Sequence, residues 1–524
     1  MSNQLPVLII GAGPTGLMMA CELERRNIPF RIIDKKSTRT EASNATWIQT
    51  RTLEILDAMG IADCFLKAGH RCDSINLYSH GKQLANIPFN AIDSIYPFIL
   101  MLSQSDTERL LSERLQSANI QIERPVELID ISQSDKGIVS SVRFSNGNSE
   151  TIASDWVIAC DGANSTVRQK CEIAFSGKDM QEQFMVADAQ LSSFLPNNEI
   201  HVFFDKGTVF PDKGTLFAAF PWGVNKYRLN ANLYHEHPRK SFTEIEVREV
   251  VAERAYGNYI VDNVSWISPF WIHSKTVECM RKNAIFLVGD AAHIHSPAGG
   301  QGMNTGMQDA YNLAWKLALV IKQKANLSLL DSYQIERYPV VKKVVEETEY
   351  FTNMVLYDKS FSSQLKKFCQ KLAKNTKLSE KIVSELTQLN IHYKNSPVID
   401  YQEKMNSSSL RQGERAPTVL KENTLHSILL FTGKNPIKNK LAKLIELQKK
   451  LNAEYLEIAK TCIITTQIVN DVDNIMLDMD GVIHQHFKIT IPAVYIIRPD
   501  NYIAYCSSKL DFDTMRQFLG RYLV

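Results

Sequence analysis

The chain has 524 residues, 44% of them hydrophobic and 22% charged, with a formal net charge of +2; this is a globular protein with enough apolar material for two or three cores. A balance this close to neutral excludes any charge-based argument for a nucleic-acid partner, and the sequence lacks the run of roughly eighteen apolar residues that a membrane span needs. Its nine cysteines are scattered singly with no C-x-x-C, which argues for reduced thiols and against a structural zinc or dithiol centre.

Met1-Ser2-Asn3-Gln4 carries no basic segment, and the first apolar run belongs to a strand motif rather than a signal peptide, so a cytoplasmic location is expected. That run, Val7 to Ile10, flows into Gly11-Ala12-Gly13-Pro14-Thr15-Gly16, then into a helical period from Leu17 to Arg25, then into Phe30 to Ile33, ending on Asp34. Strand, G-x-G-x-x-G, helix, strand and acid form a βαβ dinucleotide fingerprint. Gly11 turns the chain off the strand, Gly13 lets backbone approach a pyrophosphate, and Gly16 lets the helix lie close on the sheet. The helix N-terminus then offers unpaired N–H groups to the anion, and Asp34 can accept from ribose hydroxyls. The fingerprint alone does not distinguish FAD from a nicotinamide nucleotide.

After a polar loop, the spacing predicts a helix from Trp47 towards Gly60; Arg51 at its start is either a phosphate-binding cation or a solvated surface arginine. A strand excursion is expected over 75–100, a polar-capped helix after Leu102, and short strands from Val126 to Phe144 with a turn at Asn146-Gly147. Trp156 to Arg168 delivers Asp161 and Gly162 from the end of a buried strand, where open α/β sheets place ligands. Ala284 to His293 repeats that logic with Asp290, and Pro297 to Asn304 forms a glycine-rich loop before a helix from Thr305 to Ile321. This loop has no basic residue and suits an uncharged heterocycle edge. His293 and His295 lack a third ligand at metal spacing, so no metal is expected.

The combination of the fingerprint with Asp34, Cys-Asp-Gly-Ala-Asn-Ser-x-Val-Arg and Gly-Asp-Ala-Ala-His-x-x-x-Pro-x-Gly-Gly-x-Gly-x-Asn resembles the single-component FAD-dependent aromatic hydroxylases, the group that includes para-hydroxybenzoate and phenol hydroxylases. Ser332-Tyr333-x-x-Glu336-Arg337-x-Pro339 resembles that family's closing helix. The resemblance implies that Gly11, Gly13, Pro14, Thr15 and Gly16 hold the FAD pyrophosphate, and that Asp34 with the neighbouring Lys35 holds the adenosine ribose. It implies that Arg51 and Gln104 contact the phosphate and ribityl portions, and that Asp290 binds the ribityl or pyrophosphate region. Asp161 and Arg168 fall in a motif tied to both FAD and NADPH. Pro297, Gly299, Gly300, Gly302, Met303 and Asn304 would lie along the isoalloxazine.

The implied fold is a Rossmann-like α/β FAD-binding domain (1–74, 101–180 and 276–345) interleaved with an antiparallel β-sheet substrate domain (75–100 and 181–275). A helical connector (346–400) and a thioredoxin-like α/β domain without CxxC (410–524) follow, the last with an Arg-Pro-Asp turn and a structural or homodimer-forming role. Alternation and aromatic content from Met185 to Tyr234 fit a sheet beside the flavin, with His201, Phe220 and Tyr227 as substrate-facing candidates. The implied activity is hydroxylation of an aromatic, phenolic or polyketide-like ring with O2 and NAD(P)H, through a flavin C4a-hydroperoxide. A flavin halogenase and a non-catalytic FAD-binding scaffold are the alternatives; the halogenase Trp-x-Trp-x-Ile-Pro is missing, Trp266 and Trp271 standing in another setting.

Overall fold

The structure is a computed structural model that describes residues 5–39, 45–134, 137–206, 214–233, 239–297, 299–358, 361–401, 409–419, 421–469 and 472–524; Tyr234 and Ala298 lie outside them. The fingerprint strand Leu5–Ile10 sits between Ser149–Ala159 and Phe30–Ile33, both parallel to it, and Ile285–Leu287 extends the parallel run beyond Ser149–Ala159. Residues 7–10, 157–159 and 285–287 of this layer are buried on both faces, and so read as continuous apolar runs rather than as alternation. The carboxyl ends of the four strands lie side by side, stitched by Gly11 N–H to Ile33 O (2.8 Å), Cys160 N–H to Ile10 O (2.7 Å) and Val288 N–H to Ala159 O (3.0 Å). One edge of the layer brings Asp34, Gly11, Asp161 and Asp290 together although they are spread across 280 residues of chain.

A second, eight-stranded sheet contains Ser74–Ser79, Lys82–Pro88, Phe175–Ser193, Glu199–Lys206, Gly214–Gly223, Lys226–Leu233 and the 19-residue strand Tyr259–Val277. The last strand was not among the segments read individually from sequence, although β-branched and aromatic residues recur through Val264-Ser265-Trp266-Ile267-Ser268. One face of this sheet packs on the capped helix Glu244–Arg254 through Val247, Val250 and Val251, forming a core with Met185, Phe217, Tyr227 and Leu229. The other face is free of that helix.

The expected boundary near 345 falls inside a single 27-residue helix, Asp331–Tyr357, which continues past Pro339. Phe361–Lys374 and Thr376–Leu386 follow it and pack towards the free face of the sheet. The C-terminal segment folds as a five-stranded mixed sheet, in the order Ile475–Leu477, Ala459–Thr465, His426–Phe431, Ala493–Ile497, Ile503–Ser507. The first three are parallel and the last two antiparallel. Its apolar face closes over Trp315 and Leu329, joining it to the end of helix Gly302–Ile321. Among the described residues no helix is long and apolar enough to cross a membrane.

Candidate active site

A single cavity of about 1900 Å³ runs from the carboxyl edge of the parallel layer to the free face of the eight-stranded sheet. At the first end the walls are backbone. Gly11 has φ +100°, and a Cβ there would stand 2.2 Å from the Cys160 carbonyl oxygen; a Cβ on Gly16 would stand 1.9 Å from the Gly11 oxygen. These two glycines therefore serve the turn and the helix packing. Gly13 and Gly162 differ, since a Cβ on either meets no atom within 4 Å. Both leave backbone bare towards the void, and helix Pro14–Arg25 begins at Gly13 with no side-chain cap among the described residues. Bare backbone at an uncapped helix start is a cradle shaped for a phosphate.

Asp34 is held ready by two backbone donors, Ala12 N–H (2.7 Å) and Lys36 N–H (2.8 Å), with Arg124 Nη1 3.6 Å from Oδ1. Asp161 accepts from Val167 N–H (3.1 Å) while its Oδ1 is buried without a partner, and burial raises its carboxyl above the ordinary range. Asp290 is open to the cavity by surface yet enclosed by protein in depth; that depth raises its carboxyl, and nearby His293 opposes the shift. Pro14, Thr15, Lys35, Gln104, Pro297, Gly299, Gly300, Gly302 and Met303 also line the void. Thr15 packs between Gly289 and Gly306, where either Cβ would come within 2.6 Å of its hydroxyl.

Four residues expected at the cofactor stand elsewhere. Arg51 is buried, donating to Glu54 (3.2 Å) and to the Asp500 carbonyl (2.9 Å) over the Tyr502 ring, so its guanidinium is used to dock the C-terminal segment. Besides Lys35 and Lys36, the cavity wall beside Asp34 carries Arg124, which sequence reading missed because it sits in an irregular stretch outside the motifs. Arg168 binds the Ala291 (3.0 Å) and Ala163 (2.7 Å) carbonyls and stacks on Phe175, clamping the two acid-bearing loops from behind. Asn304 fixes the glycine-rich loop by accepting from Gln49 N–H and donating to the Trp47 and Gly300 carbonyls. Gly16 packs beneath the turn rather than on the wall.

At the sheet end, alternation decides what faces the cavity. Val202 and Phe204, Leu216, Ala218 and Phe220, and Arg228 and Asn230 share that face with Phe184 and Val186. Phe220 packs edge-on against Trp47 with ring centroids 5.5 Å apart. His201 and Tyr227 are on the other side. The register pairs Phe220 with Arg228, so the face-mate across the hairpin is Arg228, and Tyr227 one residue earlier turns into the helix-packed core. His201 is likewise buried, between Tyr78 OH (3.1 Å) and the Pro196 carbonyl (3.0 Å), and burial lowers its pKa. Arg228 is paired through two bonds to Asp188 (2.8 and 2.7 Å) and lies over Trp266. Phe351, Phe361, Leu365, Phe368 and Leu386 from the three helices complete an apolar enclosure.

His295 stands between the two ends. Its Nδ1 is 2.7 Å from the Ser296 carbonyl, which can only accept, so Nδ1 carries the hydrogen and Nε2 is a bare acceptor, buried without a partner. Burial lowers its pKa to about 4, which keeps the ring neutral at physiological pH. The ring is 3.6 Å from where a Cβ of Gly302 would stand, and it lines the cavity. His293 turns away to Asp309, so the two histidines do not converge on a common ligand.

A family model described as FAD binding domain matches residues 4–348. The chain is 35% identical over 408 residues to 6-methylpretetramide 4-monooxygenase of Streptomyces rimosus, covering 75% of this chain and 70% of the relative. It is 33% identical over 367 residues to pentachlorophenol 4-monooxygenase of Sphingobium chlorophenolicum, covering 68% and 66%. Among solved structures it resembles OxyS anhydrotetracycline hydroxylase from Streptomyces rimosus, with a TM-score of 0.75, 25% identity and 99% of each chain covered.

Proposed function

The chain belongs to the FAD-dependent aromatic hydroxylases, a family of flavoprotein monooxygenases, and from that premise we propose that it hydroxylates an aromatic, phenolic or polyketide-like ring using O2 and NAD(P)H. The observation that carries the reading is the continuity of the cavity: one void joins a phosphate-shaped backbone cradle to an apolar sheet face. A halogenase or an inert scaffold is not favoured, because the matched relatives are monooxygenases.

Bound FAD supplies the oxygen activation, which is chemistry no side chain provides. The protein's residues do the rest. Gly13, Gly162 and the start of helix Pro14–Arg25 would receive the pyrophosphate, Asp34 and Arg124 would hold the ribose end, and Asp290 would bind the ribityl or pyrophosphate region. Pro297, Gly299, Gly300, Gly302 and Met303, with the loop pinned by Asn304, would lie along the heterocycle. The sheet face with Phe220, Ala218, Val202 and Trp266 positions the substrate ring and excludes water, as small-ligand sites do. His295 offers Nε2 as an acceptor that stays unprotonated at neutral pH.

We assign 1–74, 101–180 and 276–345 to the cofactor domain and 75–100 and 181–275 to the substrate sheet, with the long helix bridging to the connector. The strand order of 410–524 supports a thioredoxin-like fold, and its lack of CxxC supports a structural role. The test is oxygen consumption by the purified yellow protein with NADPH or NADH and a panel of phenols and polycyclic aromatics. A hydroxylated product formed with oxygen uptake is expected. Halide-dependent product, or bound FAD never reduced in the presence of any substrate, overturns the reading.

A further inference from the structure

Two neighbouring residues of the long helix, Glu336 and Arg337, are both buried and serve different partners. Glu336 accepts from Arg498 Nη1 (2.5 Å) and Nη2 (2.8 Å), from Lys316 Nζ (2.7 Å), from Asn312 Nδ2 (2.7 Å) and from Ser396 Oγ (2.5 Å). Arg498 in turn holds Asp500 through Nε (2.9 Å) and Nη2 (2.5 Å), closing a four-charge cluster of two acids and two bases. The cations hold the Glu336 carboxyl well below its usual range despite its burial. Arg498, Pro499 and Asp500 come from the C-terminal sheet; Tyr311 OH donates to the Pro499 carbonyl (3.2 Å) and Arg51 to the Asp500 carbonyl.

Arg337 reaches, through Asp309, the loop that carries Asp290. Its Nε donates to Asp309 Oδ1 (2.6 Å), and Asp309 Oδ2 accepts from His293 Nε2 (2.7 Å) and from Gly289 N–H (3.3 Å). Gly289 and His293 flank Asp290. Gly289 is at φ +62° with no side chain of its own, and the carboxylate of Asp309 clamps this loop from one side as Arg168 does from the other through the Ala291 carbonyl. The two halves meet at Tyr393, whose hydroxyl accepts from Arg337 Nη1 (3.2 Å), whose ring lies 5.2 Å beneath the Arg498 guanidinium, and which packs at a tilt of 39° against Tyr502, ring centroids 4.2 Å apart.

We infer that the Arg498–Asp500 turn of the C-terminal sheet is a positioning element for the Gly289–His293 loop, acting through Tyr393, Glu336, Arg337 and Asp309 to set where Asp290 meets the flavin. Apolar contacts at Trp315 and Leu329 already join the C-terminal sheet to the rest of the protein, and a buried ion cluster adds little net stability over an apolar one. What the cluster adds is one fixed geometry: if Arg498 is lost, Glu336 and Asp500 lose the guanidinium that pairs with both, Asn312 alone still bridging them, and the helix turn carrying Arg337 must shift or hydrate.

The experiment uses full-length flavin-loaded protein and reads the FAD dissociation constant, the flavin midpoint potential and the visible spectrum, with circular dichroism as the folding control. Arg498→Met is expected to weaken FAD roughly tenfold and to move the potential, with Arg498→Lys recovering part of both. Asp309→Asn is expected to act on the same loop, so the double variant loses less than the sum of the singles. Tyr393→Phe removes only the hydroxyl that joins the halves and leaves every charge in place, which keeps the test valid if Arg498→Met does not fold; it is expected to weaken FAD at an unchanged melting temperature. FAD affinity and potential unchanged in Tyr393→Phe, or in a folded Arg498→Met of lowered melting temperature, or strictly additive losses, overturn the inference. In each of these cases the wild type still binds FAD, so the family reading stands apart from the outcome.

Discussion

The two ends of the cavity are built by opposite means. The cofactor end is made of contiguous motifs, each at the carboxyl end of a parallel strand, and its working surface is largely backbone. The sheet end is made largely of alternate residues from strands between Ser74 and Val277, closed by side chains of three helices, and its working surface is side chains. Local backbone geometry tolerates few residues at a given position, whereas a side-chain wall shares its task among many. The first end is therefore brittle and chemically committed, and the second can be reshaped one residue at a time.

The sharpest way to break this contrast is at the fingerprint. Gly11→Ala, with φ +100° and a carbonyl 2.2 Å from its new Cβ, is expected to cost more than about 3 kcal/mol and to yield little folded protein. Gly13→Ala, with open space at its Cβ, is expected to fold with less than about 1 kcal/mol lost and yet to bind FAD more weakly, as melting curves and flavin titration would register. If both variants behaved alike, the division of labour among the glycines would be wrong.

At the sheet end the corresponding pair is Tyr227 and Phe220. Tyr227→Ala opens the helix-packed core and is expected to cost about 3–5 kcal/mol. Phe220→Ala is expected to act mainly on substrate, raising KM with FAD affinity retained, measured by steady-state kinetics on the same flavin-loaded preparation.

Histidines sharpen the comparison through pH. His426, in the C-terminal sheet, is buried and its pKa is lowered to about 3; in the unfolded chain it titrates near the ordinary value of 6.5. The unfolded state therefore binds the proton first, and stability is complete above roughly pH 6.5 and falls as the pH drops towards the folded value, on the order of 1 kcal/mol per pH unit. His426→Gln is expected to flatten that acid slope in thermal melts without altering the flavin spectrum. His295→Gln, on the cavity wall, is expected to alter the spectrum.

The smallest effect belongs to Arg124, which is close to Asp34 but not in a tight pair. Arg124→Gln is expected to weaken FAD by about 1 kcal/mol or less, with the loss shrinking at high salt.

What the sequence made legible follows the same division. The βαβ unit, the acids at strand ends and the glycine-rich loop were readable because their chemistry is written in consecutive residues. Arg51 was misleading because its partner, the Asp500 carbonyl, lies 449 positions away, a distance no local pattern encodes. Tyr227 was misleading because facing direction depends on a register with an irregularity between Pro221 and Gly223, and a slip of one residue exchanges the faces. The helical wall was legible as helix, from its periodicity, but not as part of the cavity.

The helix Asp331–Tyr357 leaves no clean seam for dividing this protein. The matched family region ends at residue 348, nine residues before that rod stops, and the rod carries both the ion cluster at one end and the cavity-lining Phe351 and Val355 at the other. A chimera that exchanged substrate-binding parts between relatives at the family boundary would splice through the middle of a continuous hydrogen-bond ladder. Grafts that transfer the whole rod together with its C-terminal partner turn are the ones expected to keep their colour.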